Sequence, residues 1–290
     1  MRYAITWLTS PASIAPRRAR RARRARPPGE CSPTSLATAN GDIVCSVDSA
    51  SAIRLLVGDV MGHGQRAACT SAEVMRAFRD LASRPGPVQD IAAGLDEFLT
   101  ARPRSSEINE EYVTALIISV PWDPDGDAQI VNCGHPAPLL LQDPHGSATV
   151  LDAIALAPPL GLLDLADGPA RPAPLRLGPG DSLLLYTDGV TEARDGRGRP
   201  YPLAERAAVL ASQQPDRRRT FRRAGHRSLL RAIQADLLRH AGGTLADDAT
   251  MLLVTLDDGA SRPLIPPVPR VSAAQARLSE AADCQGSFLG

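Results

Sequence analysis

Lysine is absent from this 290-residue chain: all 32 basic side chains are arginine, and 32 Asp and Glu residues bring the formal net charge to +0. With no net field, nothing global selects nucleic acid or a membrane surface as partner. Aromatic residues make up only 3% of the chain. The core must therefore come from Leu, Val, Ile and Ala, and the basic–aromatic interleaving of a nucleic-acid binder is missing. The five cysteines, Cys31, Cys45, Cys69, Cys133 and Cys284, are scattered, odd in number and without CxxC spacing. That argues against a zinc site or a disulfide framework and leaves a reducing cytoplasm as the default location. No apolar run reaches the roughly 18 residues of a membrane span. The basic block near the N-terminus follows its short apolar piece instead of preceding it, which is not the order of a signal peptide.

The length suits one large domain with tails or two small ones. Residues 1–39 look unlike the rest, because Arg17–Arg26 repeats an Arg-Arg-Ala pattern with seven arginines, ahead of Pro27-Pro28-Gly29. A like-charge block repels itself, so 1–39 is expected to be a disordered tail. Salt-sensitive binding to an acidic surface is the alternative use of such a block. Residues 40–257 read as one α/β domain, and 258–290, Pro-rich and then polar, as a second tail.

Within the domain, Asp42–Val47 and Ile53–Val57 are short apolar strands joined as a hairpin. Gln65–Ser83 has helical spacing through Ala68, Val74, Phe78 and Leu81, and Val88–Thr100 repeats it through Ile91, Leu95 and Leu99. Tyr112–Val120 with Ala128–Asn132, and Pro138–Gln142 with Thr149–Asp152, flank Asp-Pro-x-Gly turns and predict two more hairpins. A further hairpin is expected from Leu175–Leu177 and Asp181–Tyr186 around Gly178-Pro179-Gly180. Helices at Leu203–Leu210 and Ser228–His240, an exposed Arg-rich loop over Gln213–Arg227 and a closing strand at Thr250–Leu256 complete the pattern. Strands and helices come in blocks, which favours antiparallel sheets with packed helices over regular βαβ alternation.

Four acids stand at strand ends. Asp59 follows the apolar run Ile53–Val57 and opens the Gly-rich turn Gly62-His63-Gly64. Asp42 follows Asn40-Gly41. Asp188 lies in Tyr186-Thr187-Asp188-Gly189, and Asp247, with Asp248 beside it, precedes the last strand. Taken singly, each could be a solvated turn acid. Converging without basic partners they would repel one another, which two divalent cations would relieve by balancing four carboxylates. An oxygen-only ligand set favours Mg²⁺ or Mn²⁺ over zinc.

In that order, Gly58-Asp59-Val60-Met61-Gly62-His63-Gly64, Tyr186-Thr187-Asp188-Gly189-Val190-Thr191-Glu192-Ala193 and Asp247-Asp248-Ala249-Thr250 resemble the signature blocks of PPM-type (PP2C-like) serine/threonine phosphatases. The match is to the bacterial SpoIIE/RsbU branch. Asn132-Cys133-Gly134-His135-Pro136-Ala137-Pro138 resembles that branch's AGHP segment, and Pro159-Leu160-Gly161-Leu162-Leu163 its PLGL block. The resemblance implies an α+β fold, a four-layer α/β sandwich of two antiparallel β-sheets with helices outside. It also implies a centre of two divalent cations, Mn²⁺ or Mg²⁺. Asp59 would bridge both, Val60 would offer its carbonyl, Asp42 would bind the first, and Asp188 and Asp247 the second. Asp248 falls outside the matched ligand position.

The implied activity is hydrolysis of a phosphoserine or phosphothreonine by a metal-bridging hydroxide, with no nucleophilic side chain. The implied substrate is a phosphorylated STAS-type anti-anti-sigma protein. His63 and His135 are candidates for a general acid, although each sits beside glycine in a turn, which favours a structural role. The family's first block is Gly-Gly-Asp with an aromatic and a second Asp after it; here Asn40-Gly41-Asp42-Ile43-Val44-Cys45 keeps only the ligand. Residues 1–39 offer no recognisable version of the helix and strand the family places upstream. This predicts a bare sheet edge beside Asp42 and impaired activity. A catalytically weak phosphatase-like binding module in a sigma-factor pathway is the alternative function. No sensor domain fits in 39 residues, so control is expected from a separate sensor or activator chain.

Overall fold

The computed structural model describes residues 2–10, 34–36, 41–102, 112–123, 126–142, 147–178, 180–213 and 223–257. Two sheets form. One has five strands in the order β1 (Arg2–Ser10), β12 (Ala249–Asp257), β11 (Ser182–Tyr186), β7 (Leu139–Gln142) and β8 (Ser147–Val150). The other has seven: β10 (Ala173–Leu175), β6 (Ala128–Cys133), β5 (Val113–Pro121), β4 (Ala52–Val60), β3 (Asp42–Asp48) and β2 (Thr34–Leu36), with β9 (Leu156–Ala157) also on β6. All pairings are antiparallel except the short β6–β9 contact.

Period-two alternation divides the apolar residues into three layers of core. Leu55 and Val57 of β4, Leu116 and Ile118 of β5, Leu183 and Leu185 of β11 and Leu252 and Val254 of β12 fill the space between the sheets. The opposite rows of the seven-stranded sheet, including Ile43, Leu56 and Ile117, meet helices α1 (Gln65–Ser83) and α2 (Val88–Thr100). The opposite rows of the five-stranded sheet meet α3 (Asp188–Thr191), α4 (Leu203–Ser212) and α5 (Arg223–His240). The result is the expected α+β sandwich, helices–sheet–sheet–helices. Among the described residues no helix is long and apolar enough to cross a membrane.

The N-terminal expectation needs correction. Residues 1–39 contain β1, which pairs with β12 from Arg2↔Asp257 to Ser10↔Ala249, and β2, which pairs with β3. The compact unit accordingly runs from Met1 to Asp258, not from residue 40. Tyr3, Ile5, Thr6, Trp7 and Thr9 are strong β-formers, and their partner strand lies some 240 residues away, out of reach of any local pattern. The β3 edge expected to be bare is therefore paired with β2 over residues 44–46. The Arg17–Arg26 block and residues 258–290 lie outside the described residues.

Two smaller expectations also fail. Residues 173–186 do not form a hairpin: β10 pairs with β6 in one sheet and β11 with β7 and β12 in the other. The turn closes locally, through Asp181 N–H to Gly178 O (3.0 Å) and Gly178 N–H to the Asp181 carboxylate (2.8 Å), but the chain uses it to change sheets. Helix α5 begins at Arg223, so Arg223–Arg227 are helical rather than loop. On α1 the expected Val74 and Phe78 are buried, while Ala67 and Ala82 are buried in place of the half-buried Ala68 and Leu81.

Helix α1 is pinned to the seven-stranded sheet near its start and at its end. Ser71 Oγ lies 2.8 Å from Gly41 O, just before β3. At the other end Arg54 of β4, only 2% exposed, donates to the carbonyls of Ala82 (3.2 Å), Arg84 (2.7 Å) and Gly86, capping the helix C-terminus. A guanidinium there meets both the unsatisfied carbonyls and the negative end of the helix dipole. Replacing Arg54 by Met keeps the aliphatic packing and strands those carbonyls. We expect a loss of about 2–3 kcal/mol, read as a lower denaturant midpoint at unchanged slope; an unchanged midpoint would refute the capping role.

Candidate metal centre

The inner row of every central strand ends in a polar residue at the same end of the sandwich. Along β4 the row is Ile53, Leu55, Val57, then Asp59; along β3 it reaches Val44 and Asp42; along β12 it is Val254, Leu252, then Thr250. On β5 it passes Leu116 to Thr114, and β11 continues through Leu183 and Leu185 to Thr187. Antiparallel register aligns these ends, with Asp42 directly opposite Asp59 and Asp59 directly opposite Thr114. The sequence places two carboxylates side by side, facing the interior, because β3 and β4 are joined by a tight turn that fixes their register.

Asp42 is 4% exposed and is reached from the facing sheet. Thr187 Oγ1 donates to its Oδ2 (3.3 Å), as does Thr250 Oγ1, while Thr187 Oγ1 accepts the Thr250 amide (3.0 Å). Burial pushes the Asp42 carboxyl up to about 8; the Thr250 hydrogen bond works against this, and the charges of Asp59 and Asp248 add to it. Asp59 rises to about 7, chiefly by burial, then by the charges of Asp188 and Asp247. Asp188 is raised by burial, Glu192 and Asp247. Among the described residues, the leading influences on these three acids are burial, hydrogen bonds and other carboxylates. Asp59 thus acts on Asp42 within its own sheet and is itself raised by Asp188 and Asp247 from the other.

Glycines allow the approach. Gly41 has φ +132°, and a Cβ there would lie 2.8 Å from Asp59 Oδ1 and 3.2 Å from Val60 O. At Gly189 a Cβ would stand 1.9 Å from Asp248 O, so only glycine lets α3 lie against the segment before β12. Asp188 opens α3, Asp247 is exposed, and Asp248 is buried. Among the described residues, no three His, Cys, Asp or Glu side chains are already drawn together tightly enough to hold a metal ion. Mutual repulsion between carboxylates opposes such closure when no cation offsets it. An all-oxygen donor set and raised carboxyls fit Mg²⁺ or Mn²⁺.

The two histidines separate. His63 is exposed in the β4–α1 turn. His135 is 3% exposed, with Nε2 3.1 Å from Tyr186 O and Nδ1 3.0 Å from Thr114 Oγ1. A carbonyl only accepts, so Nε2 carries the proton and Nδ1 accepts from the threonine. Burial holds its pKa down at about 4, and Asn132 fixes its backbone on both sides. A neutral imidazole thus ties β5 to β11 behind Asp59 and Asp188. The PLGL block packs nearby, with Asp96 of α2 accepting the Gly161 (2.6 Å) and Leu163 (3.1 Å) amides. Sequence reasoning missed Thr114, Thr187 and Thr250. The signal was available, because each continues an inner apolar row at period two.

A family model described as stage II sporulation protein E (SpoIIE) matches residues 49–257. The fold is similar to the RsbU and RsbW domains of Rv1364c from Mycobacterium tuberculosis, at TM-score 0.64 and 24% identity over 97% of this chain and 68% of that one. It is similar also to the SiaA-PP2C domain of Pseudomonas aeruginosa, at TM-score 0.60 and 18% identity over 88% and 86%. RsbX, solved in complex with magnesium, matches at TM-score 0.51 and 15% identity over 78% and 94%. These structures share the sandwich, and the family match includes Asp59, Asp188 and Asp247 but begins after β3, so Asp42 lies outside it. The chain belongs to the SpoIIE family of PP2C-like phosphatases and is a phosphoprotein phosphatase.

Proposed function

We propose that the carboxylate cluster holds two divalent cations, Mn²⁺ or Mg²⁺, and that the enzyme hydrolyses a phosphoserine or phosphothreonine on a regulatory protein. The observation that carries this is the opposition of Asp42 and Asp59 across β3 and β4, with the charges of Asp188 and Asp247 raising the Asp59 carboxyl. Asp42, Asp59, the Val60 carbonyl, Asp188 and Asp247 would be the ligands, Asp59 shared between both ions. RsbX, of the same fold, is a magnesium complex. When bound, such cations neutralise charge on the phosphoryl oxygens and lower the pKa of water.

The chain itself then positions rather than attacks. Thr187 and Thr250 spend their hydroxyls on Asp42, and the Cys45 and Cys133 thiols lie in the helix-side core with pKa values pushed up by burial. Water is left as the nucleophile, with the serine or threonine oxygen departing in line. Both nitrogens of His135 are engaged, so its role is to brace the two sheets. For the substrate, similarity to RsbU and RsbW domains favours a phosphorylated STAS-type anti-anti-sigma protein, with a separate sensor or activator chain controlling the enzyme.

Asp59→Ala and Asp188→Ala should each reduce Mn²⁺-dependent phosphomonoester hydrolysis by more than the ~100-fold that loss of an outer-shell partner can cost. Turnover without metal, or indifferent to both substitutions, would remove the proposal.

Thr250→Val keeps the shape of the side chain and removes a hydrogen bond to Asp42. Metal affinity should fall by about 10–100-fold, measured by Mn²⁺ titration, with the ligands themselves intact.

The raised carboxyls also fix a pH dependence. Asp42 and Asp59 have pKa values of about 8 and about 7 in the fold, well above the ordinary value of 3.8 for an aspartate. A raised carboxyl stabilises the fold while protonated, and that contribution is lost as pH climbs through the folded value. Without metal, the thermal midpoint should therefore fall between about pH 4 and pH 8, by a loss on the order of a few kcal/mol. Added Mn²⁺ should raise it more at pH 8 than at pH 5.5, where protons compete for the ligands. A metal-induced shift of equal size at both values would contradict the assignment.

A further inference from the structure

A second charged site lies on the helix side of the five-stranded sheet, away from the inter-sheet carboxylates. After α3 the chain makes a tight turn in which Asp195 accepts the amides of Arg197 and Arg199 (2.9 Å each), and Arg194 bridges to Pro200. Tyr201 and the N-cap residue Pro202 then lead into α4. Between this turn, α4 and the end of α5 is a cavity of about 550 Å³ whose charged lining is Arg199, Arg206, Asp236, Arg239 and His240. That volume falls within the range of small-molecule sites.

Asp236 organises the cluster. Its carboxylate is only 4% exposed and accepts Tyr201 Oη (2.9 Å), Arg206 Nε and Nη2 (2.6 Å each) and Arg239 Nη1 (2.7 Å). The Arg206 fork holds this carboxyl far below the usual range, so it stays ionised and keeps both guanidiniums in place. Arg199 is oriented separately by Asp195, through Nε at 2.8 Å and Nη2 at 2.7 Å. His240 Nε2 donates to Arg199 O (3.0 Å), and its ring meets Tyr201 edge-on at 5.4 Å. Pro200 and Pro202 stiffen the wall.

Three guanidiniums thus face two carboxylates, an excess of positive charge. An arginine has more N–H donors than one carboxylate can use. The guanidinium side chains remain accessible, Arg199 and Arg239 at 69% exposure and Arg206 at 40%. A fork of oriented guanidiniums around a concave, proline-walled space matches the geometry of a tetrahedral oxyanion.

We propose that this cavity binds a small phosphate-class oxyanion, a phosphate ester or sulfate ester, at a site separate from the carboxylate centre. The Tyr201 amide donates to Ala193 O (2.9 Å), so the bound anion would rest on the same short stretch of chain that begins at Asp188.

Inorganic sulfate is a suitable probe because it mimics the phosphate dianion and is not a product of the reaction. Calorimetric titration of the full chain in chelator prevents cations at the carboxylate centre from recruiting the anion. Saturable sulfate binding is expected in the wild type, absent with chloride at matched ionic strength. Arg239→Gln and Arg199→Gln should each weaken it by about tenfold. Both side chains are largely exposed, and Arg206 and Tyr201 continue to hold Asp236, so unfolding midpoints should stay near that of the wild type. Weakening in either folded variant supports the site. No saturable binding in the wild type, or unchanged affinity in both variants, overturns it.

Discussion

The structure turns on an electrostatic conflict built into its second hairpin. The β3–β4 register sets Asp42 against Asp59 on the face that meets the other sheet, where burial penalises the charge of each and neighbouring carboxylates add to the penalty. A sandwich could avoid this by ending both rows in small apolar side chains, as it does throughout the inter-sheet core. Instead the surroundings accommodate the acids. Thr187 and Thr250 reach across to one oxygen of Asp42, and Gly41 has no side chain to crowd Asp59. Hydrogen bonds to one oxygen fix the carboxylate without neutralising it, and the remaining deficit of positive charge is what a divalent cation supplies.

Alternation makes the site inseparable from the core. The rows that carry Leu55 and Val57, or Leu252 and Val254, into the inter-sheet layer are the rows that end in Asp59 and Thr250. A one-residue slip of β3 on β4 would turn Asp42 toward α1 and expel Val44 from the core together with it. The apolar part of each strand therefore enforces the geometry of its polar end. His135 works to the same purpose from behind, a neutral imidazole linking Thr114, opposite Asp59, to Tyr186, two residues before Asp188.

Much of this was legible before folding. Helices α1 and α2 match their expected bounds because an uninterrupted apolar stripe and the Arg84–Pro87 breaker are local signals. Asp42, Asp59 and Asp188 were legible as strand-end acids, since a strand end is also a local feature. What escaped depends on partners distant in sequence. Strand β1 is defined by β12 at the far end of the chain, and the chain around Pro179 looks like a hairpin until two sheets compete for its flanks. The threonines escaped for a different reason. A hydroxyl at the end of an apolar row reads as the onset of solvent, and only the folded chain reveals Asp42 as the partner of Thr187 and Thr250 and His135 as that of Thr114.

The N-terminal strand bears on the centre through the same logic. β1 lies along the whole of β12, the strand that carries Thr250 and is entered from Asp247 and Asp248. Without β1, β12 would be an edge strand, with one row of backbone donors and acceptors open to water and to fraying. Fraying would begin at the strand's ends, and one of those ends holds Asp42 through Thr250. The N-terminal strand thus completes the wall of the site: nine residues of paired backbone support the last strand, so that Thr250, together with Thr187, can hold a buried carboxylate on the opposite sheet.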